Sequence, residues 1–388
     1  MACKELTQIG TNRPCRTVET IDMMSRRTFL HGAAALSGGA LFPGRSLAAG
    51  GAASAGFFYP DEAMPHERTF MQWPLNTKIH EDPIFLQLLQ KTISDIANKI
   101  SDFEPVVMMM SKDHEAAARK LLGQKVEIWD IPTDDLWARD SGPSFVIDGK
   151  GGIALTQFNF NGWGNKQIHD NDGKIAAKVA ERLGLKIFDA GLVGEAGGVE
   201  SDGKGMLIAH ESSWINPNRN KGSKAEVEAM LKETMGASQV IWAPGVSGAD
   251  ITDYHIDALA RFSQPGVVLI QLPQELDEED PWSKSANETY DALSAIRLPT
   301  GEGLELVIIP EPNTTRVKSD GFVNSYVNYY VCNGAVIAAE FGDPDTDAEA
   351  KATLAALYKG REIVTMNIDP VGEVGGGIHC ATHEQPKV

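Results

Sequence analysis

Ser325-Tyr326-Val327-Asn328-Tyr329-Tyr330-Val331, then Ala335-Val336-Ile337-Ala338-Ala339-Glu340-Phe341, then a helical pattern over 347–357, then Glu362-Ile363-Val364-Thr365-Met366-Asn367: in order, this stretch reads strand, strand, helix, strand. Branched and aromatic residues fill the strand runs, and acidic residues gather at the N-terminal end of the helix, where the helix dipole favours them. Similar runs lie upstream at 105–110, 125–131, 153–160, 205–210, 239–243, 266–272 and 304–310. Helical patterns sit between several of them, at 174–183, 224–234 and 288–296. A further one is Ile84-Phe85, Leu88-Leu89, Ile93, Ile96-Ala97 and Ile100, whose spacing marks one apolar helix face. Strand runs outnumber helices about two to one, whereas a plain βαβ sheet gives nearer one to one. A repeating β-β-α-β module accounts for the ratio, although its copies are too degenerate to align by eye. No Pro/Ser-rich linker divides 57–388, so these residues are expected to form one α/β domain. The acidic run Glu275-Leu276-Asp277-Glu278-Glu279-Asp280 reads as a solvated loop.

The first 48 residues read as something other than fold. Ser25-Arg26-Arg27-Thr28-Phe29-Leu30 is a twin-arginine pattern, followed by an Ala/Gly-rich apolar stretch and small residues at Ser46-Leu47-Ala48-Ala49. The expectation is an export signal, removed near Ala49, and a periplasmic or secreted mature protein. Met23 and Met24 make residues 1–22 a candidate overextended start. Removing 1–48 leaves 29 basic and 50 acidic residues, a formal charge of −21 against −18 for the whole chain. Such a surface repels nucleic acid and anionic lipid and attracts cations. Of four cysteines, Cys3 and Cys15 fall in the leader, leaving Cys332 and Cys380, which are expected to be free thiols.

Gly375-Gly376-Gly377-Ile378-His379-Cys380 puts one of those thiols behind three glycines, where the backbone can be approached closely. A free cysteine is ordinarily a small buried hydrophobe; two other segments change that reading. In His255-Ile256-Asp257, a strand would point His255 and Asp257 to the same side. H-x-D also supplies two metal ligands, but no HExxH or clustered Cys/His pattern offers the others. Trp137-Ala138-Arg139-Asp140-Ser141-Gly142-Pro143 places an indole near a carboxylate, a combination suited to a planar cation; a surface Arg139–Asp140 pair is the plain alternative. Glu195-Ala196-Gly197-Gly198 adds a carboxylate at a glycine-rich bend, and Asn216-Pro217-Asn218-Arg219-Asn220 reads as a polar turn. No GxGxxG or Walker loop supports a nucleotide cofactor.

Taken with Met64-Pro65-His66-Glu67, Trp73-Pro74 and Phe341-Gly342-Asp343, these motifs run in an order that resembles the agmatine deiminase and bacterial-type peptidylarginine deiminase family of guanidine-modifying enzymes. The likeness spans nearly the whole chain after the leader. It implies a five-bladed pseudosymmetric α/β propeller, the pentein fold. It implies that Asp140 and Asp257 clamp a guanidinium with Trp137 beside it, that His255 is the general acid/base oriented by Glu195, and that Cys380 is the nucleophile. No metal or cofactor is needed. The expected reaction is hydrolytic deimination, agmatine to N-carbamoylputrescine plus ammonia, with peptidylarginine to citrulline as the alternative. The partner is then a small cationic guanidine or an arginyl peptide, with neither nucleic acid nor, after signal removal, membrane; a homodimer is allowed. More distant rivals are a metal-dependent hydrolase, a periplasmic guanidine-binding protein and an amidinotransferase. Two departures stand out: the family's E-G-G-S-I-H is here Glu195-Ala196-Gly197-Gly198-Val199-Glu200, and Tyr254 stands where a glycine is common before H-x-D. Both are expected near the substrate tail.

Overall fold

The strand–strand–helix–strand module at 325–367 is present in the computed structural model, which describes residues 48–388, with its first strand shortened. Tyr330–Cys332 pairs antiparallel with Ala335–Glu340, which pairs in parallel with Glu362–Asn367. Residues 325–329, expected as strand, approach that sheet as an irregular segment instead. The export segment and its twin arginines lie outside the described residues.

The module recurs around the molecule. Five helices supply the crossovers: α1 (Pro83–Ile100), α2 (Ile175–Leu183), α3 (Lys224–Met235), α4 (Pro281–Ser294) and α5 (Pro344–Leu357). Before α2, Ser144–Ile147 pairs antiparallel with Ile153–Thr156; after it, Ile187–Asp189 pairs in parallel. Val199–Ser201, Met206–His210, α3 and Gln239–Ala243 repeat the pattern. Ala260–Gln264, Val267–Leu272, α4 and Glu305–Pro310 repeat it again. The fifth sheet joins the two ends of the fold. His66–Gln72 is flanked by the late strand His383–Pro386, antiparallel, and by Val106–Met110, parallel, with Val126–Asp130 outside. Five small sheets thus form a five-bladed α/β propeller, the pentein fold.

Local chemistry explains the helices. Asp82, Asp280 and Asp343 each accept hydrogen bonds from the first free backbone N–H groups of α1, α4 and α5, and a proline follows each aspartate. α4 and α5 therefore begin several residues ahead of their apolar periodicity. Ser223 and Glu226 form a reciprocal capping box on α3. Ile93, Ile96 and Ile100 of α1 are fully buried in one core cluster with Val106, Met108 and Met110 of the neighbouring sheet, each aliphatic side chain contributing roughly 1.5–3 kcal/mol by burial. Ala52 is fully buried as well, and Ala48–Ala49 pairs in parallel with Phe188 and Asp189, so the fold draws on chain upstream of residue 57.

Candidate active site

Five short segments, each lying just before the first strand of a blade, line one cavity or stand directly behind its wall. They are 137–140 ahead of Ser144–Ile147, 195–198 ahead of Val199–Ser201, 255–257 ahead of Ala260–Gln264, 325–329 ahead of Tyr330–Cys332, and 376–380 ahead of His383–Pro386. Equivalent positions in five modules thereby bring residues up to some 240 apart in sequence to one place. The cavity has a volume of about 630 Å3, and Trp137, Asp140, His255, Asp257 and Cys380 all line it.

Asp140 sits in the one-turn helix Ala138–Ser141. Its Oδ2 accepts a hydrogen bond of 2.8 Å from the Trp163 indole, and its Oδ1 accepts one of 3.2 Å from the Gly197 amide. Oδ1 also faces His255 Nδ1 at 3.6 Å. Burial pushes the Asp140 carboxyl up to about 6; His255 and the Trp163 bond pull against it, while Glu195 and Asp257 add to it. The plain alternative of an Arg139–Asp140 surface pair fails, because Arg139 is buried and pairs with Glu62 at 3.1 Å and Glu384 at 3.0 Å.

His255 and Asp257 share the cavity wall, but not through strand alternation. His255 is extended, and Ile256–Ala258 is a single 3-10 turn that brings Asp257 round beside it. The other ring nitrogen of His255, Nε2, lies 3.3 Å from Glu195 Oε2. Burial opposes charge on this imidazole, yet Asp140, Glu195 and Asp257 outweigh it and lift the group to about 9. Glu195 is buried and is gripped by Arg219, whose Nε donates to both carboxylate oxygens at 2.9 and 3.1 Å. Arg219 also donates from Nη1 to Asp253 at 2.8 Å. The sequence offered Arg219 only as part of a polar turn; its burial is the correction, and the isolated N-P-N-R-N spelling gave no signal of a carboxylate elsewhere needing a partner.

Asp257 is fully buried. Its Oδ2 lies 2.7 Å from His379 Nδ1 and 3.6 Å from the Cys380 sulfur, while Oδ1 has no hydrogen-bond partner. Burial works to raise this carboxyl, but His379, His255 and Arg261 together hold it below the usual range. His379, missed at first, extends the chain of contacts to Glu62 at 2.8 Å.

Cys380 and Cys332 are both free. Cys380 is half-buried, and Asn328 holds it twice, donating from Nδ2 to Sγ at 3.1 Å and accepting from the Cys380 amide at 3.3 Å. Burial pushes this thiol well up, and the charges of Asp257 and Asp140 push it further. The glycine run has specific neighbours: a Cβ on Gly376 would stand 2.4 Å from the Trp137 ring, and one on Gly377 would stand 2.4 Å from the Asn328 amide oxygen. Gly197 is hemmed in by the polar groups themselves, since a Cβ there would lie 2.6 Å from Asp140 Oδ1 and 2.8 Å from His255 Nδ1.

The two departures part company. Tyr254 lines the cavity with φ +68°, a left-handed conformation that costs a residue bearing a Cβ roughly 1–2 kcal/mol and explains the common glycine. Glu200 instead lies away from the cavity, pairing with Arg261 at 2.9 Å. Among the described residues no group of three or more His, Cys, Asp or Glu is arranged to hold a metal ion.

A family model described as Porphyromonas-type peptidyl-arginine deiminase matches residues 58–386. The agmatine deiminase of Stutzerimonas stutzeri is 32% identical over 360 residues, covering 85% of this chain and 96% of that one. The agmatine deiminase of Ectopseudomonas mendocina is 31% identical over 360 residues, with 85% and 96% covered. Among solved structures, the agmatine deiminase of Enterococcus faecalis superimposes with a TM-score of 0.81 at 25% identity, covering 89% of this chain and all of that one.

Proposed function

The chain belongs to the Porphyromonas-type peptidyl-arginine deiminase family and is a hydrolase acting on the C–N bonds of linear amidines; from that premise we propose that it deiminates agmatine to N-carbamoylputrescine and ammonia through a covalent intermediate on Cys380. The observation that carries the reading is Asp257 Oδ1, a buried carboxylate oxygen without a partner, in a cavity shared with Asp140 and with a thiol 3.6 Å from the same carboxylate. A buried acceptor of this kind is costly unless a donor arrives. A guanidinium presents planar N–H edges to two acids at once.

The free site is arranged for a cation. Two carboxylates beside Cys380 keep its thiol protonated, and a bound guanidinium offsets their charge, so the thiol proton passes to solvent as the substrate settles. The thiolate then attacks the guanidinium carbon. His255, held as an imidazolium, gives its proton to the departing nitrogen, releasing ammonia and leaving an S-linked thiouronium. The now neutral His255 takes a proton from water, whose hydroxide adds to the same carbon. Collapse expels the thiolate, the hydroxyl proton passes to solvent, and a ureido group remains. Glu195, fixed by Arg219, orients the imidazole for both transfers.

The names of the relatives favour agmatine over the peptidylarginine alternative. Ammonia release from agmatine, free arginine and a blocked arginyl peptide, assayed side by side, tests the choice. Agmatine is expected to give the highest kcat/KM by at least about tenfold; a preference for the peptide would reverse it. Export is part of the proposal. Arg26-Arg27 and the small residues ending at Ala49 support a periplasmic or secreted enzyme. Replacing both arginines by lysine should strand the precursor in the cytoplasm, and native protein found there with residues 25–48 intact would contradict export.

A further inference from the structure

The same cavity has a wall whose chemistry the reaction itself does not use. Tyr254 and Trp282 meet there edge to face, with ring centroids 4.6 Å apart, and His210 backs Tyr254 at 4.7 Å. Two carboxylates, Asp280 and Glu311, line the cavity alongside them. Asp280 caps α4 through the amides of Trp282 and Ser283, which fixes the carboxylate at the foot of Trp282. Glu311 has no hydrogen-bond or ion-pair partner for its side chain among the described residues.

The charge balance of this wall is one-sided. Among the described residues, seven carboxylates and neither lysine nor arginine line the cavity. Asp140 and Asp257 answer a guanidinium; of the other five, Asp135 is held by His80 and Gln167, Asp250 by amides of its own loop and Asp280 by the amides of α4, while Glu311 stands unpaired in the field of Asp280. Burial raises the Glu311 carboxyl, and the nearby Asp280 raises it further. Burial and the charges of Glu311, Asp250 and Asp280 likewise hold the Tyr254 hydroxyl protonated. The left-handed backbone at Tyr254 is kept although a glycine would relax it, so the ring itself has a use at that point. The unpartnered Oδ1 of buried Asp257 leaves this cavity an acceptor for a donor on a bound cation, and a second positive group on the same ligand would offset the charge of Glu311 and Asp280.

We propose that Tyr254, Trp282, Asp280 and Glu311 form a subsite for a primary ammonium at the far end of a guanidine substrate, and that this subsite selects an alkyl diamine-type tail over an amino-acid tail. The inference rests on the deimination reading above. The aromatic pair supplies cation–π contact and excludes water, while the acids supply charge. A tail carrying its own carboxylate meets repulsion from the same acids, which sets free arginine apart from agmatine.

The test compares agmatine with n-butylguanidine, which has the same chain length without the ammonium. For the wild type, kcat/KM should favour agmatine by at least about tenfold, carried mainly in KM. Glu311→Gln should reduce that ratio about tenfold, and Asp280→Asn, which keeps a helix-capping side chain, should reduce it in the same direction. Melting temperatures near that of the wild type would exclude misfolding as the cause. An unchanged ratio in both variants would overturn the subsite while leaving deimination intact. Release of ammonia from neither guanidine by the wild type would instead sink the deimination reading. Calorimetric Kd values for the two guanidines give the same ratio without turnover and decide the subsite either way.

Discussion

Asp257 Oδ2 stands 3.6 Å from the sulfur of Cys380, and the same oxygen is bound by His379 at 2.7 Å. In the proposed reaction a carboxylate so placed opposes thiolate formation until a cation arrives, so that recognition and activation of the nucleophile become one event. Cys380→Ala tests the nucleophile; the acids and the groups behind them can be tested separately.

Asp140→Asn and Asp257→Asn each keep the shape of the side chain but turn an acceptor toward the substrate into a donor. Both should lower kcat/KM for agmatine by at least ~10²-fold while moving the melting temperature little. Large losses of stability with near-normal specific activity in the folded fraction would assign these acids a structural role instead.

The pH dependence has a definite sign. In the proposed reaction Asp140 is ionised to hold a guanidinium, so kcat/KM should rise through about pH 6, and His255 is protonated to release ammonia, so it should fall through about pH 9. Stability follows the same histidine: its folded value lies above the ordinary one, so its contribution is complete below about pH 6.5 and is lost as pH rises through about 9. A profile flat from pH 5 to 10 would contradict both assignments.

Much of this was legible in the chain. The apolar periodicity of 84–100 and the runs at 239–243 and 362–367 placed α1 and two strands almost to the residue. The short inner strands were not: Val199-Glu200-Ser201 and His383-Glu384-Gln385-Pro386 are too brief and too polar for a period of two to register. A sharper signal lay in Asp82-Pro83, Asp280-Pro281 and Asp343-Pro344, one cap repeated in three modules, which would have moved the starts of α4 and α5 forward. Of the site, the six residues named from the motifs stand in or directly behind the cavity. Asn328, Trp163, Arg219 and His379 escaped because each acts by meeting a residue distant in sequence, and nothing local marks such a meeting.

Arg219 shows what that costs. It is the buried counter-charge of Glu195, which would keep only His255 at 3.3 Å, whereas Asp253 would retain Lys166 at 2.7 Å, so Arg219→Met should destabilise the fold by roughly 3–5 kcal/mol, chiefly through Glu195. Arg219→Lys loses the two-toothed grip on Glu195 and should reduce kcat more than stability. Paired melting and kinetic measurements separate the two effects; a silent Arg219→Met would remove Arg219 from the account.

Gly197→Ala places a methyl group among Asp140, His255 and Asp257, the last at 3.2 Å. The three polar groups must part to admit it, so turnover should fall by at least about tenfold with KM raised, as a displacement of an ångström in a reacting geometry does. Full activity in this variant would mean that the three groups are not held at the spacing described.

The most direct test of the central claim is ammonia release from agmatine by Cys380→Ala, measured beside the wild type and beside calorimetric binding of agmatine to both. The account predicts a loss of at least ~10³-fold in turnover, with agmatine still bound through Asp140 and Asp257 and with Cys332→Ser nearly silent. Half the wild-type turnover surviving in Cys380→Ala would contradict it.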